Sequence, residues 1–319
     1  MTKGPWMWEI KHGDALKVLQ AMSDESINTC ITSPPYFGLR DYGVEGQIGL
    51  EQTPKEYVDK IIQVCREVQR VLRDDGTLWL NLGDSYNGSG GAGGDYGPGG
   101  LKEGQPKYPG RKVDGLKPKD LLGIPWMVAF ALRADGWYLR SDIIWHKPNP
   151  MPESVTDRPT KAHEYIFLLS KSPKYYYDYE AIREPVASKQ TPKSVSFRRD
   201  DSKREQPIPG QAYGAHRPNR KDTPLRPTRN KRSVWVVPTR PFPEAHFATF
   251  PPELVEPCVL AGCPVGGVVL DPFMGSGTTL LVATQNHRKS IGIELNPDYI
   301  QIAERRLSKI QMKLVMDND

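Results

Sequence analysis

Two rhythms of apolar and polar positions run along this chain. Short apolar or alternating runs predict strands at MWEIKH (7–12), SINTCIT (26–32), TLWLNLG (77–83), RSDIIWHK (140–147) and EYIFLLSKS (164–172). Three more follow at SVWVVP (233–238), VVLDPF (268–273) and SIGIEL (290–295). Between them lie segments with helical spacing. In GDALKVLQAM, Leu16, Leu19 and Met22 share a face and Asp14 is placed to cap. Over 54–73, Tyr57, Ile61, Val64, Val68 and Leu72 recur every three or four positions, and Asp74-Asp75-Gly76 is expected to end the helix. Further helices are expected over 125–134, 250–262, 277–287 and 297–307. Strand and helix alternate, which predicts an α/β fold with a mostly parallel sheet.

The alternation breaks twice. Residues 88–100 hold eight glycines in thirteen positions and cannot pack a core, so a surface loop is expected there. From about 183 to 233 the chain is rich in Pro, Arg, Lys, Ser and Thr, and reads as a large insertion. Charge sharpens that second break. The whole 319-residue chain carries +5, but Glu180 to Arg232 holds 14 Lys or Arg against 6 Asp or Glu. Concentrated positive charge points to a polyanionic partner, nucleic acid first, or to a solvated loop.

The four cysteines form no CxxC pair, and no His pair has metal-ligand spacing, so no metal is expected. The sequence shows no signal peptide and no run of about 18 apolar residues, so a reduced, cytoplasmic setting with no membrane contact is expected.

Two stretches carry candidate chemistry. In TSPPYFGLRDY (32–42) a strand runs into two prolines, which end its ladder and fix the backbone stiffly beside Tyr36 and Phe37. In VVLDPFMGSGTTLLVA a strand passes through a Gly-x-Gly turn into a helix. Gly275 and Gly277 permit close backbone approach to a ligand, and Thr278 opens a helix with free N–H groups. Glu294 follows Asp271 by 23 residues, at the end of the next strand, where an acidic side chain meets ribose hydroxyls in nucleoside-binding α/β units. The loop lacks the Lys of a phosphate-binding loop and the third glycine of a dinucleotide site. Asp271 within it favours a cationic or amino-bearing ligand, and S-adenosylmethionine has a ribose, an ammonium and a sulfonium.

With both motifs present, the sequence resembles the S-adenosylmethionine-dependent DNA amino-methyltransferases. TSPPY looks like their catalytic motif and DPFMGSGTT like their glycine motif. The catalytic motif comes first with the basic insertion between, as in the beta class. The resemblance implies a Rossmann-like methyltransferase fold. Residues 1–149 and 241–319 would form the catalytic domain, and 150–240 an inserted target recognition region contacting double-stranded DNA. It implies that the Ser33 hydroxyl and the Pro34 carbonyl accept from the exocyclic amino group of a flipped base, held by the rigid Pro34-Pro35 turn, with Tyr36 stacking on that base. It also suggests Asp14 near the cofactor adenine, where a helix cap explains the residue as well. Phe250 is expected to close over the methionine end, and Phe273 to touch the cofactor or fill the core. Arg40, Trp145, His146, Lys147 and Asn149 are expected to line the base pocket or touch DNA.

Pro257-Cys258 resembles the Pro-Cys nucleophile of cytosine carbon-5 enzymes, but it falls inside a helix and before the glycine motif, so Cys258 is expected to be packing. Ser33, rather than Asp or Asn, leans toward cytosine N4, and adenine N6 stays open. So do an RNA amino-methyltransferase, a non-catalytic binding module, a homodimer and a separate restriction endonuclease.

Overall fold

The computed structural model describes residues 7–88, 112–186, 227–240 and 251–316, with side chains of the last helix to residue 309. The chain opens with β1 (Trp8–His12), α1 (Ala15–Gln20) and β2 (Ile27–Thr32). It continues through α2 (Pro54–Val71), β3 (Leu72–Leu82), α3 (Ile124–Ala134), β4 (Tyr138–His146) and β5 (His163–Ser170). Two short strands, β6 (Glu184–Pro185) and β7 (Thr228–Arg229), pair with each other, and β8 (Val234–Val236) follows. The last elements are α4 (Pro252–Gly262), β9 (Val268–Asp271), α5 (Thr278–Gln285), β10 (Lys289–Glu294) and α6 (Pro297–Met316).

Eight strands form one sheet in the order β1-β10-β9-β2-β3-β5-β4-β8. Every neighbouring pair is parallel except the two that β5 makes, with β3 and with β4. β3 shows why the sheet is covered on both faces. Leu78, Leu80 and Leu82 join a core with α1, α2 and α3, while Trp79 points the other way into a second core with α4 and β8.

Local chemistry accounts for α2. Thr53 and Glu56 form a reciprocal capping box, Pro54 opens the first turn, and Tyr57, Val58, Ile61, Val64, Cys65, Val68 and Val71 line its buried side. The helix stops at Val71, earlier than its spacing suggested, and Leu72 already belongs to β3. The exposed Arg73, Asp74 and Asp75 form an irregularity between the Ile27–Leu72 and Thr29–Thr77 pairs, so they bulge from a strand instead of closing a helix.

The chain moves outward from the sheet centre in both directions. From β2 it passes through α2 to β3 on one side, and from β9 through α5 to β10 on the other. The neighbours β2 and β9 therefore flank the point where strand order reverses, where open α/β sheets bind ligands beyond the carboxyl ends of their strands. Among the described residues, the segment 150–240 contributes strands to the central sheet. It supplies β5 to the interior of the sheet and β8 to its edge. Most of the Gly-rich stretch, 89–100, and residues 187–226 of the basic insertion lie outside the described residues.

Candidate active site

A cavity of about 820 Å³ opens beyond the carboxyl ends of β2 and β9. That is at the upper end of the ~300–1,000 Å³ common for ligand sites, enough for more than one small group. Ser33, Pro34, Pro35, Tyr36 and Arg40 form one side, and Asp14, Phe273, Gly275, Thr278 and Glu294 form another. Trp145, Lys147 and Asn149 complete a third. Two motifs about 240 positions apart in sequence thus face one space.

The Pro34-Pro35 turn is stiff for identifiable reasons. The Tyr57 hydroxyl, on α2, donates to the Pro35 carbonyl at 2.9 Å. Phe37 is buried against the Tyr57 ring, with centroids 5.7 Å apart. Pro34 is buried on the cavity wall. The Tyr36 ring packs so closely on Gly83 that a Cβ there would lie 2.5 Å from Tyr36 Cε2. Its hydroxyl donates to Glu164 Oε2 at 2.7 Å and lies 3.0 Å from Asn81 Oδ1. Burial, then the adjacent Glu164 carboxylate, hold the Tyr36 phenol well above its ordinary range, so it stays a neutral donor.

The glycine loop is held from two sides. Gly275 and Gly277 have φ of 51° and 77°, in the left-handed region. Gly277 is off the cavity wall, and a Cβ there would come 2.9 Å from Ala303 Cβ on α6. Arg306, also on α6, donates to the Ser276 carbonyl at 2.5 Å and the Ser276 hydroxyl at 2.6 Å. From the other side Glu294 Oε2 accepts from Gly275 N–H at 2.9 Å, and its Oε1 from Asn296 N–H at 2.8 Å. A carboxylate has about four acceptor positions, so Glu294 keeps capacity for ribose hydroxyls while bracing the loop. Burial pushes its carboxyl above the ordinary range. Asp14 both caps α1, accepting from Lys17 N–H at 3.0 Å, and lies on the wall.

The geometry corrects several sequence expectations. Asp271 is 1% exposed and stands behind the wall. Its Oδ1 accepts from Thr32 Oγ1 at 2.7 Å and Phe273 N–H at 3.1 Å, and its Oδ2 from Thr279 Oγ1 at 2.6 Å. It ties the residue preceding Ser33 to the glycine loop and presents nothing to a ligand. His146 is also off the wall. It closes β4 opposite His163 and Val236, and strand alternation turns it away from its neighbours Trp145 and Lys147. Asn149 lines the wall, but its amide clamps Thr239 by two hydrogen bonds of 3.0 and 2.9 Å. Phe250 lies outside the described residues. Cys258 is buried in α4, and burial drives its thiol above the ordinary range, as packing requires. Among the described residues no group of three His, Cys, Asp or Glu could hold a metal, and no helix is long and apolar enough to cross a membrane.

The sequence reading missed Asn81 and Glu164, which stand beside Ser33 and Tyr36. A lone Asn inside the apolar run LWLNL was a signal for the first, since a polar side chain in a buried strand needs a reason. It also missed Arg306, which is remote from both motifs in sequence.

The elements fit S-adenosylmethionine. There is a glycine turn with two left-handed residues, of which Gly275 lines the cavity, an acidic residue at the end of the following strand, and a wall with room for a cofactor and a base.

Comparison with known proteins agrees with this geometry. A family model described as DNA methylase matches residues 27–305. The chain is 47% identical over 302 residues to the type II methyltransferase M.Cfr9I of Citrobacter freundii, covering 92% of this chain and 86% of that one. It is 46% identical over 302 residues to M.SmaI of Serratia marcescens, covering 92% and 89%. Among solved structures, the PvuII DNA methyltransferase (cytosine-N4-specific) superposes with a TM-score of 0.63 at 20% identity, covering 94% of this chain and 86% of that one. A Thermus thermophilus protein assigned as a DNA modification methylase, solved with S-adenosyl-L-methionine, gives 0.55 at 25% identity, covering 94% of each. The chain therefore belongs to the DNA methylase family, as a site-specific DNA amino-methyltransferase that takes its methyl group from S-adenosylmethionine.

Proposed function

We propose that this enzyme methylates the N4 amino group of a cytosine rotated out of duplex DNA. The carrying observation is the hydroxyl of Ser33, on a rigid turn, facing the same cavity as the glycine loop. Serine at this place in the motif leans toward cytosine, and the PvuII enzyme, whose name specifies cytosine N4, supports the same choice. Bound S-adenosylmethionine supplies an electrophilic methyl group; Glu294, Gly275, Phe273, Thr278 and Asp14 are the residues we assign to hold it. The exocyclic nitrogen has a lone pair delocalised into the ring. Acceptors on both N–H groups, Ser33 Oγ and the Pro34 carbonyl, draw it toward tetrahedral geometry and free that pair for attack. The nitrogen would take the methyl as the carbon–sulfur bond of the sulfonium breaks, leaving a neutral thioether, and would give up one N–H proton to solvent.

For target recognition we assign the part of 150–240 lying between β5 and β8. Within its described portion, Arg229 and Arg232 pair with Glu184, and Arg183 holds Thr228, so these three arginines help build the β6–β7 pair, with Arg232 still largely exposed. We also read the chain as the modification partner of a separate endonuclease, as its type II relatives suggest. The test is methylation of unmodified bacterial DNA with labelled cofactor, then nucleoside mass analysis, with Ser33→Ala as control. N4-methylcytosine, absent with the variant, supports the reading. N6-methyladenine overturns the choice of base, and unlabelled DNA overturns the reading as a whole.

A further inference from the structure

Ser33 serves the amino group only if its lone pairs, and not its hydrogen, face the cavity. The groups behind it decide which. Asn81 Nδ2 donates to the Tyr165 carbonyl at 3.0 Å, so its amide has one sense and Oδ1 faces the two hydroxyls as an acceptor. Glu164, on β5, has no hydrogen to give when ionised. Its Oε1 is taken by Lys147, and its Oε2 lies 2.7 Å from Tyr36 Oη and accepts a longer bond, 3.3 Å, from Asn81 Nδ2. Lys147 is itself fixed, with Nζ 4.2 Å from the centre of the Trp145 ring. The Lys147 and Glu164 side chains are only 18% and 15% exposed, so water competes little for either.

From these contacts we propose that Glu164 is a positioning residue that makes Ser33 a hydrogen-bond acceptor, acting through Tyr36. The Tyr36 hydrogen goes to Glu164 or Asn81, both acceptors. Tyr36 Oη and Asn81 Oδ1, each 3.3 Å from Ser33 Oγ, then receive the Ser33 hydrogen. The Ser33 lone pairs are left for the amino group. Reverse the sense at Glu164 and Tyr36 loses the shorter of its two acceptors, so its hydrogen divides between Asn81 Oδ1 and Ser33; where it goes to Ser33, the Ser33 hydrogen turns toward the base and sets donor against donor. Lys147 holds the carboxylate in the rotamer that keeps Oε2 on Tyr36. The phenolic oxygen of Tyr36 thus has a task apart from any stacking by its ring.

This rests on the reading of Ser33 as an acceptor, and the test separates the two. Glu164→Gln offers an amide N–H where the carboxylate accepted. It is compared in two backgrounds, native and Tyr36→Phe, with unmethylated genomic DNA as substrate and S-adenosylmethionine affinity by calorimetry. In the native background kcat should fall at least about tenfold, as for loss of one preorganised polar contact, with KM for DNA and cofactor affinity changed less than about twofold. With Tyr36→Phe the same substitution should cost clearly less, since the Tyr36 path is cut and only the 3.3 Å contact of Asn81 Nδ2 with Glu164 Oε2 remains. An equal loss in both backgrounds, or a loss confined to KM, overturns the proposal. If Glu164→Gln lowers Tm by leaving Lys147 unpaired, Lys147→Met combined with Glu164→Leu, which offers Tyr36 no acceptor and no amide that can turn, is compared in the same two backgrounds and read in the same way. Full activity of Ser33→Ala would instead overturn the acceptor reading beneath it.

Discussion

Asp271 and Glu294 show how differently two carboxylates can serve one loop. Asp271 is buried among hydroxyls and a backbone N–H, and burial raises its pKa to about 6 despite those bonds. The folded state therefore holds this proton more tightly than the unfolded chain does. Between the unfolded value near 4 and about 6, the folded form binds more protons, so this group's contribution to stability declines as pH rises and levels off above that window. The upper bound is about 3 kcal/mol, since each unit is worth about 1.4 kcal/mol. In urea unfolding, the stability of the native enzyme minus that of Asp271→Asn should fall between pH 4 and 6 and stay flat from 6.5 to 8. A flat difference throughout would remove the account. Glu294→Gln keeps an acceptor for Gly275 but loses charge toward the ribose. Calorimetry should show cofactor affinity weakened about tenfold, roughly one charge-assisted hydrogen bond, with DNA affinity unmoved. Both residues stood out in the sequence by spacing. Only coordinates separated the one that lines the cavity from the one behind it, because a one-dimensional pattern does not say which oxygens are already taken.

At the scale of elements, most strands and helices were legible, because periodicity reports which face is buried. The end of α2 was not. Asp74-Asp75-Gly76 has the composition of a helix stop, yet Leu72 is drawn into pairing with Ile27 and the charged residues bulge outward. Pairing across the sheet overrode a local signal. Asn81 left a local trace and meets Ser33 because β2 pairs with β3, setting Thr32 opposite Leu80; Glu164 was hidden, because it meets Tyr36 only when β5 inserts antiparallel beside β3. That insertion is a long-range event with no local signature. The glycines provide tests of element packing. Gly83→Ala would drive a methyl into the Tyr36 ring, so kcat should fall by more than about tenfold while cofactor affinity stays near native. Gly277→Ala combines a positive φ with the Ala303 contact, so Tm and cofactor affinity should fall together, the stability by about 1–3 kcal/mol. Calorimetry on both variants checks the pair.

For the whole molecule, charge is divided unevenly. The segment Glu180 to Arg232 carries an excess of eight positive charges, while the rest of the chain is mildly negative. Binding through phosphates implies that log affinity for duplex DNA falls with log salt, with a slope of about −0.9 per phosphate contacted. Measured from 50 to 200 mM salt by fluorescence anisotropy, DNA affinity should drop steeply while cofactor affinity barely moves. A shallow slope would mean that the insertion holds DNA by other means.

The architecture also has a consequence in time. β2, with the catalytic turn behind it, is synthesised early and can pair with β3 as soon as that strand emerges. Its other neighbour, β9, and the Asp271 carboxylate that secures Thr32 arrive some 240 residues later. β1 waits longer still, for β10, and the glycine loop for Arg306. A growing chain can therefore hold half a sheet and a complete SPPY turn while having nowhere to keep a methyl donor. A chain that stops before β10 and α6 lacks Glu294 and Arg306, the two side chains that brace the glycine loop from either side.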